Sequence, residues 1–160
     1  MVKLRWSQHR RRNLEGMRLL LERGADLGVR YEEDGLISHN ASWEGQAEVI
    51  ELLLRHKADV NARGPDDRTP LHWASAGGSV EVVELLLGRG ADVNVQNEYQ
   101  DTPLHRASEN GRLDVVRVLL GHGADVHIRG WNNQTPFQMA KSSGRTEIAQ
   151  LLLKHGSKEE

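Results

Sequence analysis

The sequence predicts an all-α fold in which one small helical module recurs along the chain, and three landmarks at a single spacing predict it. Thr69-Pro70-Leu71-His72 returns at Thr102-Pro103-Leu104-His105 and again at Thr135-Pro136-Phe137-Gln138, a step of 33 residues each time. Gly24-Ala25-Asp26 keeps that step through Lys57-Ala58-Asp59, Gly90-Ala91-Asp92 and Gly123-Ala124-Asp125, and the step lands once more on Gly156. An apolar triplet keeps it too: Leu19-Leu20-Leu21, Leu52-Leu53-Leu54, Leu85-Leu86-Leu87, Val118-Leu119-Leu120 and Leu151-Leu152-Leu153. The 160 residues suit one domain of ordinary size, yet 28% are charged and only 4 Trp, 2 Tyr and 1 Phe are present. Modules that lean on their neighbours are how such a chain buries its apolar surface.

Each module reads as two helices and a polar link. Thr69 supplies an N-cap hydroxyl, and Pro70 takes the first helical position, where a missing N–H costs nothing. The first helix runs from 71 to about 76 and stops at Gly77-Gly78, since glycine readily takes the left-handed conformation. In the second helix, Val80, Val82, Val83, Leu85, Leu86 and Leu87 cover more than half the circumference. An apolar surface that wide needs neighbours on both sides. Gly90 closes this helix, and residues 91–102 are polar and turn-rich.

Together, T-P-L-H, G-x-x-E-V-V-x-L-L-L and G-A-D-V-N resemble the ankyrin repeat, over about residues 3–156. The resemblance implies antiparallel helix pairs stacked into a curved solenoid, with the polar links projecting as short β-hairpin fingers. It divides the single domain, 1–160, into units at 36–68, 69–101, 102–134 and 135–156, a degenerate leading unit at 3–35 and a tail at 157–160. In residues 3–13, Arg, Gln and His stand at the apolar positions, as suits a water-facing terminal helix. Unit 36–68 departs from the pattern. Leu36-Ile37-Ser38-His39 replaces T-P-L-H, and Lys57 replaces the helix-ending glycine, where a left-handed non-glycine residue costs roughly 1–2 kcal/mol. This unit is therefore expected to be the softest interior one.

Composition and motifs exclude much chemistry. A formal charge of −2 gives no global attraction to nucleic acid or an anionic membrane. A cysteine count of 0 removes disulfides, thiolate metal sites and a cysteine nucleophile. No apolar run approaches the roughly 20 residues a membrane helix needs, and the start lacks a signal peptide's apolar stretch. The chain contains no G-x-x-x-x-G-K-[ST], H-E-x-x-H or G-x-S-x-G, so no enzyme activity and no cofactor are expected. His39, His72 and His105 share one repeat position, and His56, His122 and His155 another. Equivalent atoms then lie about 10 Å apart, whereas zinc ligands converge within about 2 Å of one ion. No metal is expected, and the resemblance implies that His72 and His105 hydrogen-bond link backbone and neighbouring units. The Arg10-Arg11-Arg12 run, in a segment with 8 Lys/Arg against 3 Asp/Glu over residues 1–30, reads as a solvated capping helix.

Aromatic placement points to a binding role. Phe137 stands in the Leu slot of T-P-L-H and belongs to the core. In the ankyrin family, finger tips and the exposed side of the first helices line a concave groove. Tyr31, Tyr99 and Trp131 fall in fingers, Trp73 on a first helix and Trp43 at the end of another. The resemblance thus places five aromatics on or beside that surface. Acids share it: Glu32, Glu33 and Asp34 in one finger, Asp66 and Asp67 in the next, Glu98 and Asp101 in the third, with Glu44 and Glu109 on first helices. Arg68 and Arg106 are the opposing charges. Trp and Tyr dominate binding hot spots, and acidic surroundings favour a basic or amphipathic protein over nucleic acid. The expectation is a non-catalytic protein–protein interaction module. Trp43, Trp73, Tyr99 and Trp131 are its anchors, and Glu44, Asp66, Asp67, Arg68, Asp101, Arg106, Glu109 and Asn110 supply polar specificity. A monomer is expected, with weak self-association through the C-terminal helix if Leu151 and Leu153 are exposed. The resemblance implies an intracellular setting. Two alternative origins compete: an engineered or selected binder on this scaffold, and an excised domain of a larger regulatory protein.

Overall fold

The computed structural model describes residues 35–157, together with Leu19, Arg23 and the pair Arg30–Tyr31. The helix expected over residues 3–13, the Arg10-Arg11-Arg12 run, and Glu32, Glu33 and Asp34 lie outside the described residues, as does the Tyr31 side chain. Strand β1 (Arg30–Tyr31) pairs antiparallel with β2 (Gly35–Leu36), with Arg30 opposite Leu36. Four helix pairs follow: α1 (Ile37–Trp43) with α2 (Ala47–Arg55), α3 (Pro70–Gly77) with α4 (Val80–Gly88), α5 (Pro103–Glu109) with α6 (Leu113–Gly121), and α7 (Pro136–Ser142) with α8 (Thr146–Lys154). Turns of two or three residues force each pair to run antiparallel. Every such turn contains a glycine at positive φ: Gly45, Gly78, Gly111 and Gly144.

The repeat explains the core. Leu71 and Leu104 are fully buried, and Phe137 is buried in the same slot of the last unit, as its position predicts. Ile50, Val82, Val83, Leu86, Val115, Val116, Leu119, Ile148 and Leu152 of the second helices complete a continuous apolar interior. The first helices α1, α3, α5 and α7 pack in file, more extensively than the second helices do. Their buried faces carry Ala41, Ser42, Ala74, Ser75, Ala107, Ser108 and Ala140, whose small side chains permit close approach. The second helices carry larger Leu, Ile and Val side chains at their contacts. At the C-terminal end, Leu151 and Leu153 are half-buried.

Unit 36–68 differs where its sequence does. Helix α1 starts at Ile37 without the Thr-Pro entry, and half-buried Ser38 occupies the slot of Leu71, Leu104 and Phe137. Lys57 has φ 66°, in line with Gly90 at 87°, Gly123 at 82° and Gly156 at 97°. The helix ending is thus imposed by the stack even where the residue resists it. Lys57→Gly is expected to raise the unfolding free energy by about 1 kcal/mol, read from the urea midpoint. Amides of α1 and α2 are expected to exchange hydrogen ahead of those in α3–α6, and uniform protection would contradict a soft second unit.

The links carry little strand pairing. Among the described residues, the only strand pairing is the two-residue ladder before α1, so β-hairpin fingers are not shown in the three later links. Backbone bonds close their tips, the widest being Gly64 N–H to Arg68 O at 2.9 Å, Asn97 N–H to Asp101 O at 3.0 Å and Gly130 N–H to Gln134 O at 2.8 Å. At the first and third of these tips the chain reverses through left-handed backbone, with Asp66 at φ 55°, Asp67 at 59°, Asn132 at 53° and Asn133 at 60°. Other polar groups reach sideways to the next link. Glu98 N–H bonds Asp66 O at 3.0 Å, Asp92 N–H bonds Asn61 Oδ1 at 3.1 Å, and Asp125 N–H bonds Asn94 Oδ1 at 2.8 Å. Asn61 and Asn94 also donate to Gly90 O and Gly123 O. Among the described residues no helix is long and apolar enough to cross a membrane.

Candidate functional site

Three large rings stand open to solvent on the side of the first helices and links: Trp43 (45% exposed), Tyr99 (41%) and Trp131 (55%). Trp73, one turn into α3, is half-buried. Trp43 ends α1, and the close approach of α1 and α3 brings the two indoles edge to face, with centroids 6.0 Å apart and planes at 83°. The Arg68 guanidinium lies 5.3 Å from the Trp73 centroid and 6.0 Å from that of Tyr99. Trp43, Trp73, Arg68 and Tyr99 therefore form one strip across two units. Gly77 is its hidden support, because a Cβ there would run into the backbone carbonyl oxygen of Trp43. Gly77→Ala is expected to push α1 off α3 at a cost of about 1–3 kcal/mol and to change the near-ultraviolet circular dichroism of the indole pair.

The polar residues divide into those that face solvent and those used internally. Glu44 and Asp67 are exposed, and Asp66 pairs with Arg68 at 3.3 Å while Asp67 pairs with Arg63 at 2.9 Å. Arg106 holds Glu109 at 2.6 Å, and Asn110 donates to Arg106 O at 2.8 Å. Asp101 is a correction to the expected specificity set. Only 3% exposed, it is spent inside the fold: its Oδ1 accepts the Trp131 N–H at 2.9 Å, and Arg106 lies 3.9 Å from Oδ2. It fixes the backbone that presents Trp131.

Positions 68 and 73 hold Arg and Trp, and the same positions one step later, 101 and 106, hold Asp and Arg. One unit boundary thus carries a cation on an aromatic face and the next carries an ion pair. The sequence reading missed Asn97, which stands where neighbouring units have Gly64 and Gly130. Gly130 faces Asp101 Oδ1 and the His105 ring so closely that a Cβ would collide. Opposite position 97 the corresponding acid is replaced by Arg68 of the preceding unit, and position 97 admits a side chain. Asn97 Oδ1 accepts from Tyr99 N–H and Asp101 N–H, both at 2.9 Å, and so sets the tip on which Tyr99 sits. An asparagine interrupting a glycine column was the available signal.

Beneath the strip lies a layer of buried histidines. His72 Nδ1 accepts the Thr69 N–H at 3.1 Å, so the neutral ring carries its proton on Nε2 and donates it to Asp101 O at 2.9 Å. His105 repeats this with Thr102 at 3.1 Å and Gln134 O at 3.0 Å. In the last unit Gln138 replaces histidine, and its Oε1 accepts the Thr135 N–H at 2.9 Å. Burial pushes the His72 pKa down to about 4, partly offset by the bond to Asp101 O and reinforced by Arg106, Arg68 and Arg63. Burial lowers that of His105 too. These rings are structural connectors between a helix and the next link. Among the described residues no three His, Asp or Glu side chains are grouped as a metal ion would require.

Antiparallel helix pairs stacked in file and bonded link to link define a helical repeat protein of nearest-neighbour type. A family model for ankyrin repeats, in three copies, matches residues 38–130, and the chain belongs to the ankyrin repeat family. Ankyrin repeats are generally protein-interaction modules and typically non-catalytic. No curated protein matches the chain as a relative.

Proposed function

We propose that this chain is a non-catalytic recognition module that takes up a partner protein along the inner curve of the stack. Trp43, Trp73, Tyr99 and Trp131 are the anchors, and Glu44, Asp66, Asp67, Arg68, Arg106, Glu109 and Asn110 form the polar surround. The observation that carries this reading is the exposure of three large rings on adjoining units, held by hydrogen-bonded links. Clustered exposed aromatics mark binding surfaces, and a preorganised scaffold loses little ordering entropy on association. The acids around the strip favour a basic or amphipathic partner.

The test is a pull-down comparing the wild type with a variant carrying alanine at all four anchors. A protein held by the wild type and lost by a variant of unchanged helical circular dichroism supports the reading. Equal recovery of every captured protein by both overturns it.

A further inference from the structure

Resting on the recognition role proposed above, we infer that the slot between Trp73 and Tyr99 is a receptor for an arginine side chain of the partner, and that Arg68 is a resident plug that this arginine displaces. The molecule's own guanidinium shows which ligand the slot takes. It lies 5.3 and 6.0 Å from the two ring centroids, with the Asp66 carboxylate 3.3 Å from its nitrogen. Rings on two sides and an anion at the end are what a planar, weakly hydrated cation needs. The slot is particular to one boundary of the repeat, because one step later Trp73 is matched by Arg106 and Tyr99 by Asn132.

The plug fits imperfectly. Arg68 Nε and Trp73 Nε1 are both buried without a hydrogen-bond acceptor. Leaving two donors unmet weakens the resident arrangement, and both regain water or a partner's main-chain carbonyl once Arg68 swings out. Charge complementarity selects the occupant. Asp66, Asp67 and the exposed Glu44 and Glu98 outnumber Arg63 and Arg68 around the strip, so an entering cation is attracted while the released Arg68 remains near carboxylates. The occupant is therefore an extended protein segment bearing arginine, laid across Trp43, Trp73 and Tyr99.

The test titrates the folded chain with a short peptide containing one arginine among neutral residues, and with the same peptide carrying citrulline, an uncharged isostere. Tryptophan fluorescence reports binding in the wild type, Arg68→Ala and Arg68→Ala/Trp73→Leu, each checked for unchanged helical circular dichroism. The expected result is binding at least about tenfold tighter to Arg68→Ala than to the wild type, lost with citrulline and lost in the double variant. Binding that is unchanged or weaker in Arg68→Ala, or equal for citrulline, overturns the plug. If the four-anchor variant loses its partner while Arg68→Ala also weakens it, the plug fails and the recognition face stands. If the four-anchor variant keeps every partner, the face itself fails.

Discussion

Between pH 6.5 and pH 4 the chain is expected to lose about 3 kcal/mol of unfolding free energy through His72 alone. The sign follows from the hydrogen bonds. His72 Nδ1 accepts the Thr69 N–H, so a proton there removes the acceptor and places a charge in a site from which water is excluded. The folded pKa of about 4 lies below the unfolded value of 6.5. The stabilisation is complete above pH 6.5, drains as the pH falls toward 4, and changes no further below it. His105 acts in the same direction. Urea unfolding at stepped pH measures the loss, and His72→Gln is its control. Gln138 already shows that an amide oxygen can serve the N-cap N–H in this fold. His72→Gln should flatten the pH profile over this window by roughly the same amount. If the two proteins lose stability in parallel, the acid response belongs to other groups.

Replacing Trp73 or Tyr99 by alanine is expected to weaken partner binding at least about tenfold while the helical signal stays intact. Trp73 is the harder loss because it touches both neighbours in the strip, Trp43 edge-on and Arg68 by its face. Its removal frees the guanidinium from one wall and leaves Trp43 without support. Trp131 lies one link beyond the strip, and Trp131→Ala is expected to cost less. Calorimetry with whichever protein the four-anchor comparison identifies would measure both. Unchanged affinity in Trp73→Ala and Tyr99→Ala together would discard the inner face as the docking surface.

The fold was legible because each unit punctuates itself. Thr-Pro opens a helix and glycine ends one, and the 33-residue step repeats these signals often enough to expose their failures. Lys57 is the clearest case, since the column of glycines predicts its left-handed backbone from sequence. The same column logic placed Phe137 in the core. The links were less legible. Several of their hydrogen bonds run to the next link, and that geometry exists only once the units are stacked. Asp101 was misassigned for a related reason: finger residues are mostly exposed, and nothing local marks the one that Trp131 and Arg106 enclose. The meeting of Trp43 with Trp73, and of Arg68 with both Trp73 and Tyr99, depends on rotamers across two units. Composition and spacing nominate those side chains without pairing them.

Asn61 and Asn94 fasten their links to the ones after them, and every cross-unit bond described above joins immediate neighbours. Under tension applied at its two ends, such a thread has no long-range tie to share the load. It should yield rung by rung from its weakest member, and the unfastened portion would rewind as the load falls. The molecule is in that sense a spring, and among its described coils the one marked by Ser38 and Lys57 should open first.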